Sequence, residues 1–204
     1  KAPITVAINS KTKIYGDENP QVEFLYVGLK NNDSAPEFTS ELNTSTKATK
    51  YSSVGDYEVT VSGGVATNYT FTEYIPGTLT VSPAPLNISV QSATREYGED
   101  NPEFNFSYSG FKNDDDIDCL ATLPTIATLP TPTSSVGKYE IVPQGAKATN
   151  YTMNYTMKTF LIVLDSLVKD KVYDTAAGKN YLFQLAQVVP STANVESYAK
   201  IVKE

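Results

Sequence analysis

Tyr15-Gly16-Asp17-Glu18-Asn19-Pro20 returns as Tyr97-Gly98-Glu99-Asp100-Asn101-Pro102, an offset of 97 − 15 = 82 residues. The same shift aligns Pro3-Ile4 with Pro85-Leu86, Gly28 with Gly110, and Val54-Gly55-Asp56-Tyr57 with Val136-Gly137-Lys138-Tyr139. It also aligns Ala66-Thr67-Asn68-Tyr69-Thr70 with Ala148-Thr149-Asn150-Tyr151-Thr152, and Leu79-Thr80-Val81 with Leu161-Ile162-Val163. Landmarks kept in register over a whole unit mark an internal repeat. The period is too long for a solenoid and suits small domains in tandem. The chain reads as one module over 1–82, a second over 83–165, and a remainder over 166–204, in which Tyr173-Asp174-Thr175 is a weaker echo.

Inside each unit the apolar period is 2, the signature of strands. Ile4, Val6 and Ile8 alternate with Thr5 and Ala7; Phe104, Phe106 and Tyr108 alternate with Asn105 and Ser107. One face is packed and the other wet, as antiparallel sheets allow. Strands are expected near 4–8, 12–15, 22–27, 57–62, 68–74 and 78–82, and again 82 residues on. The fold class is mainly β: two tandem antiparallel β modules, each with one short helical turn.

Turn chemistry fills the gaps. Gly16 and Gly98 supply a backbone conformation that a side chain disfavours. Asn19 and Asn101 precede proline, which keeps them out of the helical region, and their side chains are expected to close local Asx turns. Ser62-Gly63-Gly64 reads as a hairpin turn, and Pro76-Gly77 as a second hairpin tip that Lys158-Thr159 does not reproduce. In mid-unit, 31–38 and 113–120 each fit a single capped helical turn, with Phe38 or Leu120 plugging the core edge. The segments 40–53 and 121–135 read as a loosely held strand plus a surface loop. The joint Ser82-Pro83-Ala84-Pro85 is stiffened by two prolines, so an elongated arrangement is expected. Lys11, Lys13 and Arg95 are expected to stand as protecting charges on sheet edges.

Composition narrows the function. A formal net charge of −7 opposes binding to nucleic acid. No apolar run is long enough to span a bilayer, so no membrane insertion is expected within this segment. The chain opens at Lys1 without Met and is read as an excerpt of a longer polypeptide. Histidine is absent, which removes the commonest general base near neutral pH and the commonest metal ligand. Cys119 is the only cysteine, so it has no internal disulfide partner; it is expected to be a small core residue. No catalytic, cofactor-binding or metal-binding residue is assigned.

Pro3-Ile4-Thr5-Val6, the Tyr-Gly turn at 15–20, Val54-Gly55-Asp56-Tyr57, Asn68-Tyr69-Thr70-Phe71 and Gly77-Thr78-Leu79-Thr80-Val81 resemble the bacterial surface-protein repeat called the MBG domain, YGX type. Residues 83–165 match the same pattern, departing at Lys158-Thr159-Phe160. The tail resembles the start of a YDG-type sister module through 171–175 and 188–195; a helical reading competes, since Val195, Tyr198, Ala199 and Val202 share helical spacing. It is either a partial third β module or a C-terminal extension. The resemblance implies a β-grasp-like domain, with an immunoglobulin-like sandwich as the rival. It also implies arrays on secreted or cell-surface proteins of Bacteroidetes-like bacteria. Asp33-Ser34-Ala35, Asp165-Ser166-Leu167 and Asp174-Thr175-Ala176 resemble the short O-glycosylation triplet of such bacteria.

Two candidate sites have simpler readings. Asp114-Asp115-Asp116-Ile117-Asp118 invites calcium but lacks the spacing of an EF-hand loop, and a solvated capping loop is favoured. Tyr15, Tyr57 and Tyr69 recur as Tyr97, Tyr139 and Tyr151, which points to packing before sugar stacking. Unmatched Tyr51, Tyr74 and Tyr155 are the better sugar-binding candidates. The expectation is a non-catalytic structural or spacer module, extracellular or cell-surface, supporting adhesion or display of another domain. Its partners are neighbouring domains of the same polypeptide. The alternative is an adhesin module that binds a glycan or host protein.

Overall fold

The computed structural model describes residues 1–164. The readings made for 166–204, and the triplets at 165–167 and 174–176, lie outside them. Two compact units are present. One is Lys1–Pro85 together with two segments of the second repeat, Gly110–Ala121 and Ala148–Thr152; the other is Leu86–Ser109, Thr122–Lys147 and the chain from Met153.

The first repeat contains β1 (Ala2–Ile8), β2 (Lys11–Ile14), β3 (Phe24–Val27), β4 (Phe38–Thr46), β5 (Gly55–Ala66), β6 (Tyr69–Ile75) and β7 (Gly77–Ser82). They form a three-stranded sheet in the order β3-β1-β6 and a four-stranded sheet in the order β2-β7-β5-β4. Alternation decides which side chains go inside. Val6 and Ile8 from the first sheet meet Val59, Val61 and Leu79 from the second in one core, joined by the half-buried rings of Phe24, Tyr26 and Phe71. Full burial of such side chains stabilises by about 1.5–3 kcal/mol each.

The architecture is mainly β, as expected, but the sheets are mixed and not antiparallel. β1 pairs parallel with β6, and β2 parallel with β7. The chain changes sheet between β1 and β2, and again between β6 and β7. Pro76-Gly77 is therefore a corner and not a hairpin tip. No side chain fits at Gly77, because a Cβ there would lie 2.5 Å from Cγ2 of Ile8 and 2.9 Å from its carbonyl oxygen. Ser62-Gly63-Gly64 is not a hairpin turn either. β5 runs through it with φ of +71° and +79° at the two glycines, and Gly64 leaves room for the Leu42 side chain.

In the second repeat come β8 (Ala84–Val90), β9 (Ala93–Glu96) and β10 (Phe106–Ser109). A 3-10 turn at Ile117–Cys119 follows, then β11 (Thr125–Ile126), β12 (Gly137–Ile141), β13 (Pro143–Gln144), β14 (Tyr151–Thr156) and β15 (Lys158–Val163). The sheet orders are β10-β8-β14, β12-β15-β9 and β11-β13. Val90, Ile141, Phe160 and Ile162 make the core, with Phe104 edge-on to Phe160. β9 pairs parallel with β15, as β2 does with β7.

Two differences between the repeats have causes in sequence. The long β4–β5 ladder of the first repeat is broken in the second, where Pro124 replaces Leu42 and Pro143 replaces Val61. Proline has no N–H to give a ladder. The short helical turn occurs only in the second repeat, so the expectation of one in each is corrected. There the Asp116 side chain accepts from the backbone N–H of Asp118. In the first repeat Ser34 and Pro36 occupy those positions, and Pro36 has no N–H to be capped.

With no helix laid across a sheet among the described residues, the grasp-like reading gives way to two facing sheets. The parallel pairs separate this sandwich from the fully antiparallel immunoglobulin arrangement. The strand and surface loop expected over 40–53 are present: β4 runs to Thr46 on a sheet edge and the loop follows.

Replacing Gly77 with alanine is expected to lower stability by about 2 kcal/mol or more, because Ile8 offers a backbone atom to the new methyl and cannot withdraw. Urea unfolding followed by circular dichroism measures this.

Candidate functional site

The Tyr-Gly turn sits at the end of edge strand β2. Gly16 has φ +87° and the Asp17 N–H bonds the Ile14 carbonyl at 3.1 Å; Gly98 has φ +91° in the same place. A turn with positive φ at its third residue wants glycine there.

Below the turn lies a buried cation. Lys13 and Arg95 are each only 6% exposed. β2 and β9 are edge strands, as expected, but these two side chains turn inward and do not guard the edge. Lys13 Nζ donates to the carbonyls of Asp17 at 2.9 Å and Thr49 at 2.7 Å. Arg95 donates to the carbonyls of Glu96 and Thr131 and to Oδ1 of Asn101, and stacks over the Phe160 ring. Thr131 is Thr49 shifted by 82. Burial pushes the Lys13 ammonium below its ordinary value, partly opposed by Glu18 and Asp17. Lys11 alone stays half-exposed, paired with Glu23.

The asparagines act at long range. Asn19 Nδ2 donates to the Ala48 carbonyl at 2.6 Å, and Asn101 Nδ2 to the Pro130 carbonyl at 2.7 Å. These bonds replace the local Asx turns expected from sequence. Cation and asparagine together clamp the loop after β4, and its counterpart, onto the turn.

In the first compact unit the turn is covered. The Tyr15 ring meets the Tyr151 ring edge-on at 5.6 Å, and both phenols donate to Oδ2 of Asp115, at 3.0 and 2.6 Å. Lys112 Nζ reaches Asp17 Oδ1 at 3.2 Å. Asn113 Nδ2 donates to the Lys50 carbonyl, and the Val54 N–H donates to Asn150 Oδ1, both at 3.0 Å. A hollow of about 250 Å³ beside this contact is lined by Tyr15, Ser53, Asp115, Cys119, Asn150 and Tyr151.

A turn with two left-handed residues, Asn113 and Asp114, presents Asp115, whose N–H bonds the Lys112 carbonyl. The first repeat builds the same turn from Asn31, Asn32 and Asp33, and Tyr69 donates to Asp33. Burial, and then the bond to Asp115, push the Tyr151 phenol well above its ordinary range; the bond to Asp33 raises Tyr69.

The aspartates of 114–118 are thus divided between tasks: Asp115 serves two phenols and Asp116 caps the 3-10 turn. Among the described residues no group of three or more His, Cys, Asp or Glu converges to hold a metal ion. Cys119 is half-buried, and burial with Asp115 and Asp116 pushes its thiol up. Tyr57 and Tyr139 donate to the carbonyls of Ser53 and Ser135, four residues upstream. Of the recurring tyrosines only Tyr97 stands clear, 42% exposed. Tyr51 is exposed beneath the Lys50 ammonium, Tyr74 donates to the Gly63 carbonyl, and Tyr155 to that of Ala146. A second hollow of about 200 Å³ opens beside Asn19 and Pro20, floored by Ile8, Val59 and Leu79 at the core edge. Among the described residues no helix is long and apolar enough to cross a membrane.

Mixed-sheet β sandwiches that repeat around a clamped Tyr-Gly turn define the class. The family model of the MBG domain (YGX type) matches residues 4–80 and 86–161, and the chain belongs to that family, whose domains typically occur in surface proteins. A second model, the DnaB-like helicase N terminal domain, matches residues 152–204; its first ten matched residues, 152–161, overlap the second MBG match and, Met157 aside, lie in strands β14 and β15. No curated protein matches the chain.

Lys13→Met is expected to cost about 1–3 kcal/mol, since two carbonyls lose their donor, while Lys13→Arg is nearly neutral, Arg95 serving in the other repeat. Paired urea unfolding curves decide between these outcomes.

The phenols of Tyr69 and Tyr151 ionise later folded than unfolded, where the ordinary value is about 10. Their contribution to stability is intact below that value and is lost as pH climbs through the raised folded values. Absorbance titration of tyrosinate beside unfolding midpoints from pH 8 upward reads it, with an onset near pH ~10.

Proposed function

We propose that the chain is a non-catalytic structural segment of a bacterial surface protein, which spaces and displays a neighbouring domain and so supports adhesion. One observation carries this reading: the most distinctive residues of both repeats spend their polar groups on the protein itself. Lys13, Arg95, Asn19 and Asn101 hold loop carbonyls, and Asp33 and Asp115 hold phenols. Recurrence of matching bonds 82 residues apart supports a scaffold role, because bonds that hold the fold are needed in each copy of it.

A second reading, an adhesin module for glycan or host protein, is favoured by exposed apolar and aromatic side chains of the first repeat. Leu25 and Val27 on β3 lie 53% and 65% exposed, and Tyr51 is 60% exposed. Leu25 and Ala7 are paired across β1 and β3, and Ala7 with Ile75 across β1 and β6, so the outer face of that sheet is apolar there.

A glycan array probed with the purified chain, with Tyr51→Ala and Tyr74→Ala alongside, separates the two. No binding above background is the expected result. Binding abolished by either substitution overturns the spacer reading in favour of the adhesin.

A further inference from the structure

The two Tyr-Gly turns are built alike and differ in what covers them. At Gly16 the Lys112 side chain approaches so closely that an added Cβ would meet it at 2.5 Å. At Gly98, whose N–H bonds the Pro132 carbonyl at 3.2 Å, an added Cβ would meet nothing within 4 Å among the described residues. Tyr15 is 6% exposed and Tyr97 is 42% exposed. The remaining parts of the second turn are in place. Arg95 and Asn101 clamp its loop, and Ser134 and Thr131 bond each other as Ser52 and Thr49 do. Its groups keep the chemistry of the covered turn, with Glu99 where Asp17 stands and the Val136 N–H where that of Val54 stands.

The complementary surface is also present, on exposed residues of the first repeat. Lys30, Asn31, Asp33, Asn68 and Tyr69 are Lys112, Asn113, Asp115, Asn150 and Tyr151 shifted by 82. Their turn is set in advance by two left-handed asparagines and by the Tyr69–Asp33 bond. Lys30, Asn31, Asp33 and Asn68 are exposed, whereas their four counterparts are half-buried in the first unit.

We propose that the Tyr97 turn is a docking surface for the Lys30–Asp33 turn and Asn68 of a second copy of this chain, joined head to tail. The occupant follows from the covered turn, three of whose contacts translate directly. Lys30 pairs with Glu99 as Lys112 does with Asp17, and Tyr97 donates to Asp33 as Tyr15 does to Asp115. Asn68 Oδ1 accepts from Val136 as Asn150 does from Val54. Lys30 meets Glu99 across the contact, whereas two Tyr97 turns, each carrying Glu99 and Asp100, repel each other. Because the two surfaces differ, the contact is heterologous and propagates without closing unless the rotation makes a ring. The inference holds whether the segment spaces or binds.

The test traps the contact in the full chain. In a Cys119→Ser background, Lys30→Cys with Glu99→Cys is oxidised mildly and read on a non-reducing gel. The expected result is a ladder of linked oligomers, formed about tenfold faster than with Lys30→Cys and Glu140→Cys, and slowed about tenfold by adding Tyr97→Ala. Equal rates for the two cysteine pairs, or rates indifferent to Tyr97→Ala, overturn the proposal. A cysteine-independent arm compares sedimentation of the parent chain, Glu99→Lys, and Glu99→Lys with Lys30→Glu. Concentration-dependent association lost in the first variant and restored in the second supports it. Monomeric sedimentation of the parent at every concentration overturns it, as does association that Glu99→Lys leaves intact, which would place the contact on another face.

Discussion

A buried cation governs each repeat. A charge taken out of water must be met by hydrogen bonds or it is ejected. Lys13 and Arg95 are met by main-chain carbonyls of the loop after β4, or its counterpart, and of the Tyr-Gly turn itself. The loop is thereby tied to the turn, and the turn to the edge strand that carries the cation. The asparagine six residues later repeats the tie at the preceding carbonyl of the loop. Arginine and lysine reach the same end differently. The planar guanidinium spreads donors over three partners and lies on Phe160, while the ammonium concentrates on two carbonyls.

Much of this was legible, and what was not has definite causes. The offset of 82 and the period of 2 located the strands, since those signals are local and were read twice. Parallel pairing of β1 with β6 was hidden, because alternation reports which face a residue takes and is silent on which strand lies alongside. Parity did hold the answer for Lys13. It shares a face with Tyr15, and Tyr15 is buried; Ile14 between them is 41% exposed. Its charge argues for an exposed edge and its parity for the interior, and parity prevails. Gly63-Gly64 misled for a related reason: two glycines with positive φ serve a bend inside a paired strand as well as a reversal. The acidic run 114–118 read as a capping loop, and Asp116 caps; that Asp115 serves two phenols depends on contacts far off in sequence.

The repeats diverge where prolines fall. Pro124 and Pro143 remove ladder donors from the second repeat, and Pro36 removes the capped N–H from the first. Each substitution leaves the clamped turn untouched. The variable parts are the β4–β5 ladder and the mid-unit helical turn; the clamp and the left-handed turns that present Asp33 and Asp115 keep their bonds.

The parallel pairing of β2 with β7, and of β9 with β15, bears on mechanical load. These strands stand near the beginning and end of their repeats. In a parallel pair, tension applied through the start of one strand and the finish of the other slides the strands along their length. The bonds of Lys11–Ile14 with Leu79–Ser82, and of Ala93–Glu96 with Phe160–Val163, then share the force and yield together. An antiparallel terminal pair would open like a zipper, one bond at a time. The parallel pairing thus sets those ladder bonds across the line of pull.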